Sequence, residues 1–134
     1  MNAALELRVR VFCDEQGVSR EAELDGRDDR AAHVVAIDED GDVIATCRLF
    51  IFDDGECRLG RMAVAAERRG GGVGRALLDV AEAEAVRLGA REVVLHAQTR
   101  AEPFYASCGY VPEGERFMQE GIEHIQMHKA VAGR

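Results

Sequence analysis

The stretch Arg61-Met62-Ala63-Val64-Ala65-Ala66-Glu67-Arg68-Arg69-Gly70-Gly71-Gly72-Val73-Gly74-Arg75-Ala76-Leu77 carries the reading of the fold. It runs from the end of an apolar strand through three consecutive glycines into a segment with helical spacing. Backbone N–H groups at such a junction converge with the positive end of the helix dipole, which makes an anion site. Glycine lets the backbone approach a ligand with no Cβ in the way. No Gly-Lys-Ser/Thr follows, so a nucleotide P-loop does not fit. A dinucleotide-binding fold does not fit either, because no strand–helix alternation continues on both sides.

Upstream, Leu5, Val9 and Phe12, with Leu7 and Val11 beside them, predict a helix ending near Gln16-Gly17. An acidic, irregular stretch follows to about Arg30. His33–Ile37, Val43–Phe52 and Cys57–Val64 read as three strands of an antiparallel meander, separated by turns at Asp38–Asp42 and Asp53–Gly55. Downstream, Val73, Ala76, Leu77, Val80, Ala81 and Leu88 predict one apolar face of a helix that Gly89 terminates. Glu92–Ala97 then reads as a strand, completing a strand–helix–strand crossover. Thr99-Arg100-Ala101-Glu102 has the spacing of a capping box, and Pro103 fits a first helical turn. That helix should stop at Gly109. In the final strand Ile125 and Met127 alternate with His124, Gln126 and His128. The expectation is a single α/β domain over residues 1–134, with a mixed central sheet and flanking helices.

A net charge of −8 argues against a nucleic-acid surface, which needs a basic excess. The charge is unevenly placed, acidic from Asp14 to Asp29 and basic from Arg58 to Arg75. Two such lobes suit a protein that holds an anionic and a cationic ligand. Cys13, Cys47, Cys57 and Cys108 are widely spaced and read as small hydrophobes rather than bridges or metal ligands. No apolar run is long enough to span a membrane and no signal peptide is visible, so the expected location is the cytoplasm.

Arg69, Gly72 and Gly74 form Arg-x-x-Gly-x-Gly after Arg61-Met62-Ala63-Val64, which resembles the acetyl-CoA signature of the GNAT N-acetyltransferases. Gln98-x-x-Ala101-x-x-Phe104-Tyr105-x-x-x-Gly109-Tyr110 is similar to a second block of that family. Val11-Phe12-x-x-Glu15-Gln16-Gly17-Val18, Glu23-x-Asp25-x-x-Asp28, His33, Ala97-Gln98 and Gly121-Ile122-x-His124-Ile125-x-Met127 resemble its small ElaA/YjcF-type branch.

The resemblance implies the GNAT fold and an acetyl-CoA-dependent transfer to a primary amine, with a small-molecule acceptor and no metal. It implies that Met62, Ala63 and Val64 pair with the pantetheine arm through their backbone. Arg69, Gly70, Gly71, Gly72, Val73, Gly74 and Arg75 would take the pyrophosphate, and Gln98 and Phe104 would complete the cofactor site. Tyr105 matches a tyrosine that protonates the departing sulfur. His33 and His124 are candidates for the base or for acceptor contacts, and Glu15, Glu23 and Asp25 for acceptor binding. A homodimer through a sheet edge is the assembly suggested. The family usually opens with a strand ahead of the first helix, whereas this sequence begins within that helix; the expected sheet lacks that edge strand, or the given start lies downstream of it. A non-catalytic CoA-binding module and an acyl-homoserine-lactone-synthase-like acyltransferase are the alternatives.

Overall fold

In the computed structural model, which describes residues 3–16 and 31–131, six strands form one sheet. They are β1 (Ala32–Ile37), β2 (Val43–Ile51), β3 (Glu56–Val64), β4 (Glu92–Gln98), β5 (Val111–Gln119) and β6 (Ile122–Ala130), in the order β1-β2-β3-β4-β6-β5. All neighbours are antiparallel except β3 and β4, which the crossover joins in parallel. The expected mixed sheet is therefore present. Among the described residues no strand precedes the first helix, and β1 forms one edge.

Local chemistry sets the turns. Between β1 and β2 the Asp38 carboxylate accepts the N–H groups of Asp40 and Asp42, both at 3.0 Å, and Gly41 takes φ +85°. The crossover helix α2 (Val73–Arg87) ends on Leu88, with Gly89 at φ +99°. There the Gly89 and Ala90 N–H groups bond the carbonyls of Val86 and Ala85, a Schellman closure. Gly109, at φ +96°, closes α3 (Glu102–Ser107) in the same way, through Ala106 and Tyr105.

One side of the sheet packs on α2 through Leu77, Leu78, Ala81 and Ala85, all but inaccessible to solvent. Each leucine buried this deeply contributes about 1.5–3 kcal/mol. The predicted face is shifted: Ala76 and Val80, each next to a buried residue, are rotated about 100° away from it and exposed, and Leu88 is exposed at the C-cap beyond the last turn. The other side is covered by α1 (Ala3–Arg8), which continues as a π-helical segment, Val9–Glu15. Leu7 and Val11 bury there against Ala63 and Ala65, while Leu5 and Phe12 of the predicted stripe are only half-buried. Gly17, the expected helix stop, lies outside the described residues.

Two further expectations change. Thr99–Ala101 form a 3-10 turn ahead of α3, and Ala101 occupies the N-cap without a side-chain bond, so no capping box forms. The Thr99 hydroxyl donates instead to the Glu123 carbonyl at 3.4 Å, and Glu102 pairs with Arg116 at 2.8 Å. Strand β5 is also new. Its residues, Val-Pro-Glu-Gly-Glu-Arg-Phe-Met-Gln, have low strand propensity and are mostly exposed, so neither composition nor alternation marks it. What makes it a strand is pairing with β6 across a two-residue turn, Glu120-Gly121, in which both residues have positive φ (51° and 74°).

Candidate active site

The site begins with one extra residue in β3. Arg48 pairs with Gly60 and Thr46 with Ala63, so Cys47 alone faces both Arg61 and Met62. Arg61 takes φ +53°, the left-handed conformation that lets a bulge insert. The parallel pairing of β3 with β4 runs only from Glu56↔Glu92 to Leu59↔Leu95. Past the bulge the strands part, and a cavity of about 990 Å³ opens between them. It lies at the C-terminal ends of parallel strands, where open α/β sheets bind ligands, and its volume suits a large one.

One end of the cavity is the glycine turn. Gly70 and Gly72 have φ of +82° and +86°, flanking Gly71, a pattern that turns successive N–H groups toward one concave side. The first N–H groups of α2 have no acceptor within the helix and add the positive end of its dipole. Gly74 keeps this wall thin: a Cβ there would stand 3.4 Å from Phe104 Cζ and 3.6 Å from Met62 Cε. The arginines are engaged with the protein. Arg69 donates to the Val64 carbonyl at 3.1 Å and pairs with Glu15 at 2.8 Å, Arg68 pairs with Asp38, and Arg75 bonds the Ser107 carbonyl at 3.3 Å. Their charges still face the cavity, so they favour an anion while holding the loop.

Tyr105 projects into the middle of the cavity from α3. Its hydroxyl donates to Met62 Sδ at 3.3 Å, and its ring meets Phe104 and Tyr110 edge-on at 5.1 and 5.9 Å. Burial, with the Cys47 and Cys108 thiols nearby, pushes its pKa well above the usual tyrosine value, so the phenol stays protonated. Gln98 donates to Gln16 at 2.7 Å and accepts from Arg100 at 3.1 Å, tying β4 to the end of the N-terminal helical segment.

The far end is built from β4, β5 and β6. Gln98 pairs with His124, and His124 with Phe117, which stacks on its ring at 5.9 Å. His124 is nearly buried, and its Nδ1 lies 2.7 Å from the Ile122 carbonyl. A carbonyl only accepts, so Nδ1 carries the proton and Nε2 of the neutral ring keeps its lone pair.

The structure thus gathers Met62, Ala63, Val64, Arg69, Gly70, Gly72, Gly74, Arg75, Gln98, Phe104, Tyr105 and His124 around one cavity. It does not bring all the expected residues there. His33 sits on β1, two strands from β3, and pairs with Arg48 across the sheet, so the edge position withdraws it from the cavity. Glu15 is drawn into the pair with Arg69 instead of the lining. Gly71 is not part of the lining, and Val73 packs into the core as the first residue of α2. Glu23 and Asp25 lie outside the described residues.

Sequence reasoning missed His96, Phe117, Gln119 and Glu120. His96 was legible, since on a strand it shares a face with Gln98. Its Nε2 lies 3.3 Å from Gln126 Oε1 and its Nδ1 3.3 Å from Gln119 Oε1, with Phe117 edge-on at 5.0 Å. Gln119 and Glu120 reach the cavity only through the β5–β6 pairing, and through the same pairing Phe117 backs the site by packing on His124 and His96.

Comparison with known proteins agrees with this geometry. Residues 5–131 match the family model of the acetyltransferase (GNAT) domain. The chain is 36% identical over 127 residues to YjcF, an uncharacterised N-acetyltransferase of Bacillus subtilis, covering 94% of this chain and 89% of that protein. An acyl-CoA N-acyltransferase from Pseudomonas aeruginosa superposes with a TM-score of 0.85 at 32% identity, covering 96% of this chain and 88% of that one. Escherichia coli ElaA superposes at 0.83 with 30% identity, covering 95% and 87%. The bulged strand, the glycine turn and the shared sequence lead to one conclusion: this chain belongs to the GNAT acetyltransferases, in their ElaA/YjcF-like branch, and is an acyltransferase.

Proposed function

We propose that this protein moves the acetyl group of acetyl-CoA to a primary amine of a small acceptor by direct attack. The observation that carries the reading is the cavity opened by the Arg61 bulge, which has an anion-favouring glycine turn at one end and, at the other, a histidine whose Nδ1 is held on a backbone carbonyl. Between them stands a tyrosine that holds its proton. The family supports the enzyme over a non-catalytic binding module or a homoserine-lactone synthase.

In this reading the turn from Gly70 to Gly74 and the first N–H groups of α2 hold the pyrophosphate, with the nearby arginines adding positive potential. The outer edges of Met62–Val64, freed from β4 by the bulge, offer backbone groups to the pantetheine arm and an N–H to the thioester oxygen. His124 Nε2, directly or through one water, accepts the proton that the amine loses as its nitrogen bonds to the carbonyl carbon. Tyr105 shifts its hydrogen bond from Met62 Sδ to the departing sulfur and protonates it as the C–S bond breaks. The products are an amide and free CoA, and solvent restores both protonation states.

Acetyl-CoA binding only to the folded state raises stability, by about 2.7 kcal/mol at a hundredfold excess over Kd. We expect a thermal shift with acetyl-CoA, together with thiol release when a panel of primary amines is added. Absence of the shift would remove the donor assignment; a shift with no thiol release from any amine would remove the reaction.

A further inference from the structure

Among the described residues, one carboxylate in the cavity lining has no ion-pair partner. Among the described lining residues Arg58, Arg61, Arg68, Arg69, Arg75 and Arg100 are the strong cations and Glu120 is the sole acid. Arg58, Arg68 and Arg69 are ion-paired to Glu56, Asp38 and Glu15, whereas no described residue pairs with Glu120. Glu120 is exposed at the tip of the β5–β6 hairpin at φ +51°, the left-handed conformation that the first position of this two-residue turn requires. Its neighbour Gln119 lies against His96, and the strand partner of Phe117 is His124. The tip thus extends the far end of the cavity beyond the histidine assigned as base.

We propose that this end is the acceptor subsite and that Glu120 selects an acceptor carrying a second cationic group. The inference rests on the acetyl-transfer reading above. The attacking nitrogen must be neutral beside His124, so a carboxylate serves no purpose there. A second ammonium on the same molecule would meet Glu120. His124 lies four positions after Glu120, and the turn at Glu120-Gly121 bends the chain between them, so the spacing is roughly 7–10 Å, two to three strand rises of about 3.3 Å. A straight diamine of about five methylenes spans such a gap.

The test compares 1,5-diaminopentane with pentylamine, which differs only in the second cation, on the wild-type protein, Glu120→Gln and Glu120→Arg. The wild type should favour the diamine by about tenfold in kcat/KM, the scale of one partly exposed charge contact. Glu120→Gln should erase that preference by lowering kcat/KM for the diamine toward that for pentylamine. Glu120→Arg should invert it. An unchanged ratio in both variants overturns the proposal. Thiol release from pentylamine but none above it from the diamine also overturns it while leaving acetyl transfer intact. Should neither amine turn over, the acetyl-transfer reading fails for this class, and calorimetric titration of the diamine decides the subsite: binding lost in Glu120→Gln supports it, and no wild-type binding overturns it.

Discussion

Tyr105 gives its hydroxyl hydrogen to a thioether, a weak acceptor, although it sits in a cavity lined with polar groups. A phenol resting on sulfur at 3.3 Å is oriented without being strongly held, so it can move to another sulfur at little cost. Removal of the hydroxyl leaves the ring contacts with Phe104 and Tyr110 intact. Tyr105→Phe should therefore lower kcat by about 10²- to 10⁴-fold while acetyl-CoA binding and Tm barely change. Because burial raises the Tyr105 pKa, the kcat/KM profile of the wild type should show no fall from this group below about pH 10. A descending limb between pH 8 and 10 that Tyr105→Phe abolishes would contradict the assignment. Tyr105 was legible because its spacing from Phe104 and Gly109 is a motif. His96 shared a strand face with Gln98 and was equally open to reading. Phe117 and Glu120 were not, since no local pattern announces a side chain delivered by a partner strand.

The glycine turn shows how two neighbouring glycines differ in purpose. Gly72 caps α2 at φ +86° with open space around its Cα, so an added Cβ meets no atom but strains the backbone. Gly74 lies within the helix outside the left-handed range, and an added Cβ would only touch Phe104 and Met62. Gly72→Ala should cost about 1–2 kcal/mol, lowering Tm by several degrees, and weaken acetyl-CoA binding by turning the N–H groups aside. Gly74→Ala should leave Tm unchanged or slightly higher, since alanine favours helix by about 1 kcal/mol. Thermal melts of the two variants, with and without acetyl-CoA, check the contrast. A larger Tm loss in Gly74→Ala than in Gly72→Ala would show that the turn is held by packing rather than by backbone conformation. On the sequence, both glycines looked alike; only their dihedral angles separate them.

The whole molecule keeps several weak acids protonated in its core. Burial pushes the Cys47 and Cys57 thiols from 9.0 up to about 12, with the Cys57 thiol and the Glu56 carboxylate as the respective secondary causes. Burial raises Tyr105 and Tyr110 as well, the latter helped by the Glu82 carboxylate that its hydroxyl donates to at 2.9 Å. For each group the folded pKa exceeds the unfolded one, so the unfolded chain releases its protons first as pH rises. Their contribution is full below about pH 9 and is lost progressively toward about pH 12. Tm should therefore fall steeply above about pH 9, and Cys47→Ala/Cys57→Ala should flatten the early part of that fall. A flat Tm from pH 8 to 11 would mean that these groups reach water in the folded state. By itself the sequence determined the strand order up to the crossover, the glycine turn, the helix-ending glycines and the place of Tyr105, because each depends on contacts between residues near in the chain. It also determined the family, through motifs whose spacing is local. The tertiary structure alone decided that β5 is a strand, that His33 is withdrawn to a sheet edge while His124 enters the cavity, and that Glu15 serves Arg69. Those outcomes follow from which strands pair and where one extra residue at Arg61 parts them. Pairing energy depends on partners many residues apart, and no local pattern of side chains encodes it.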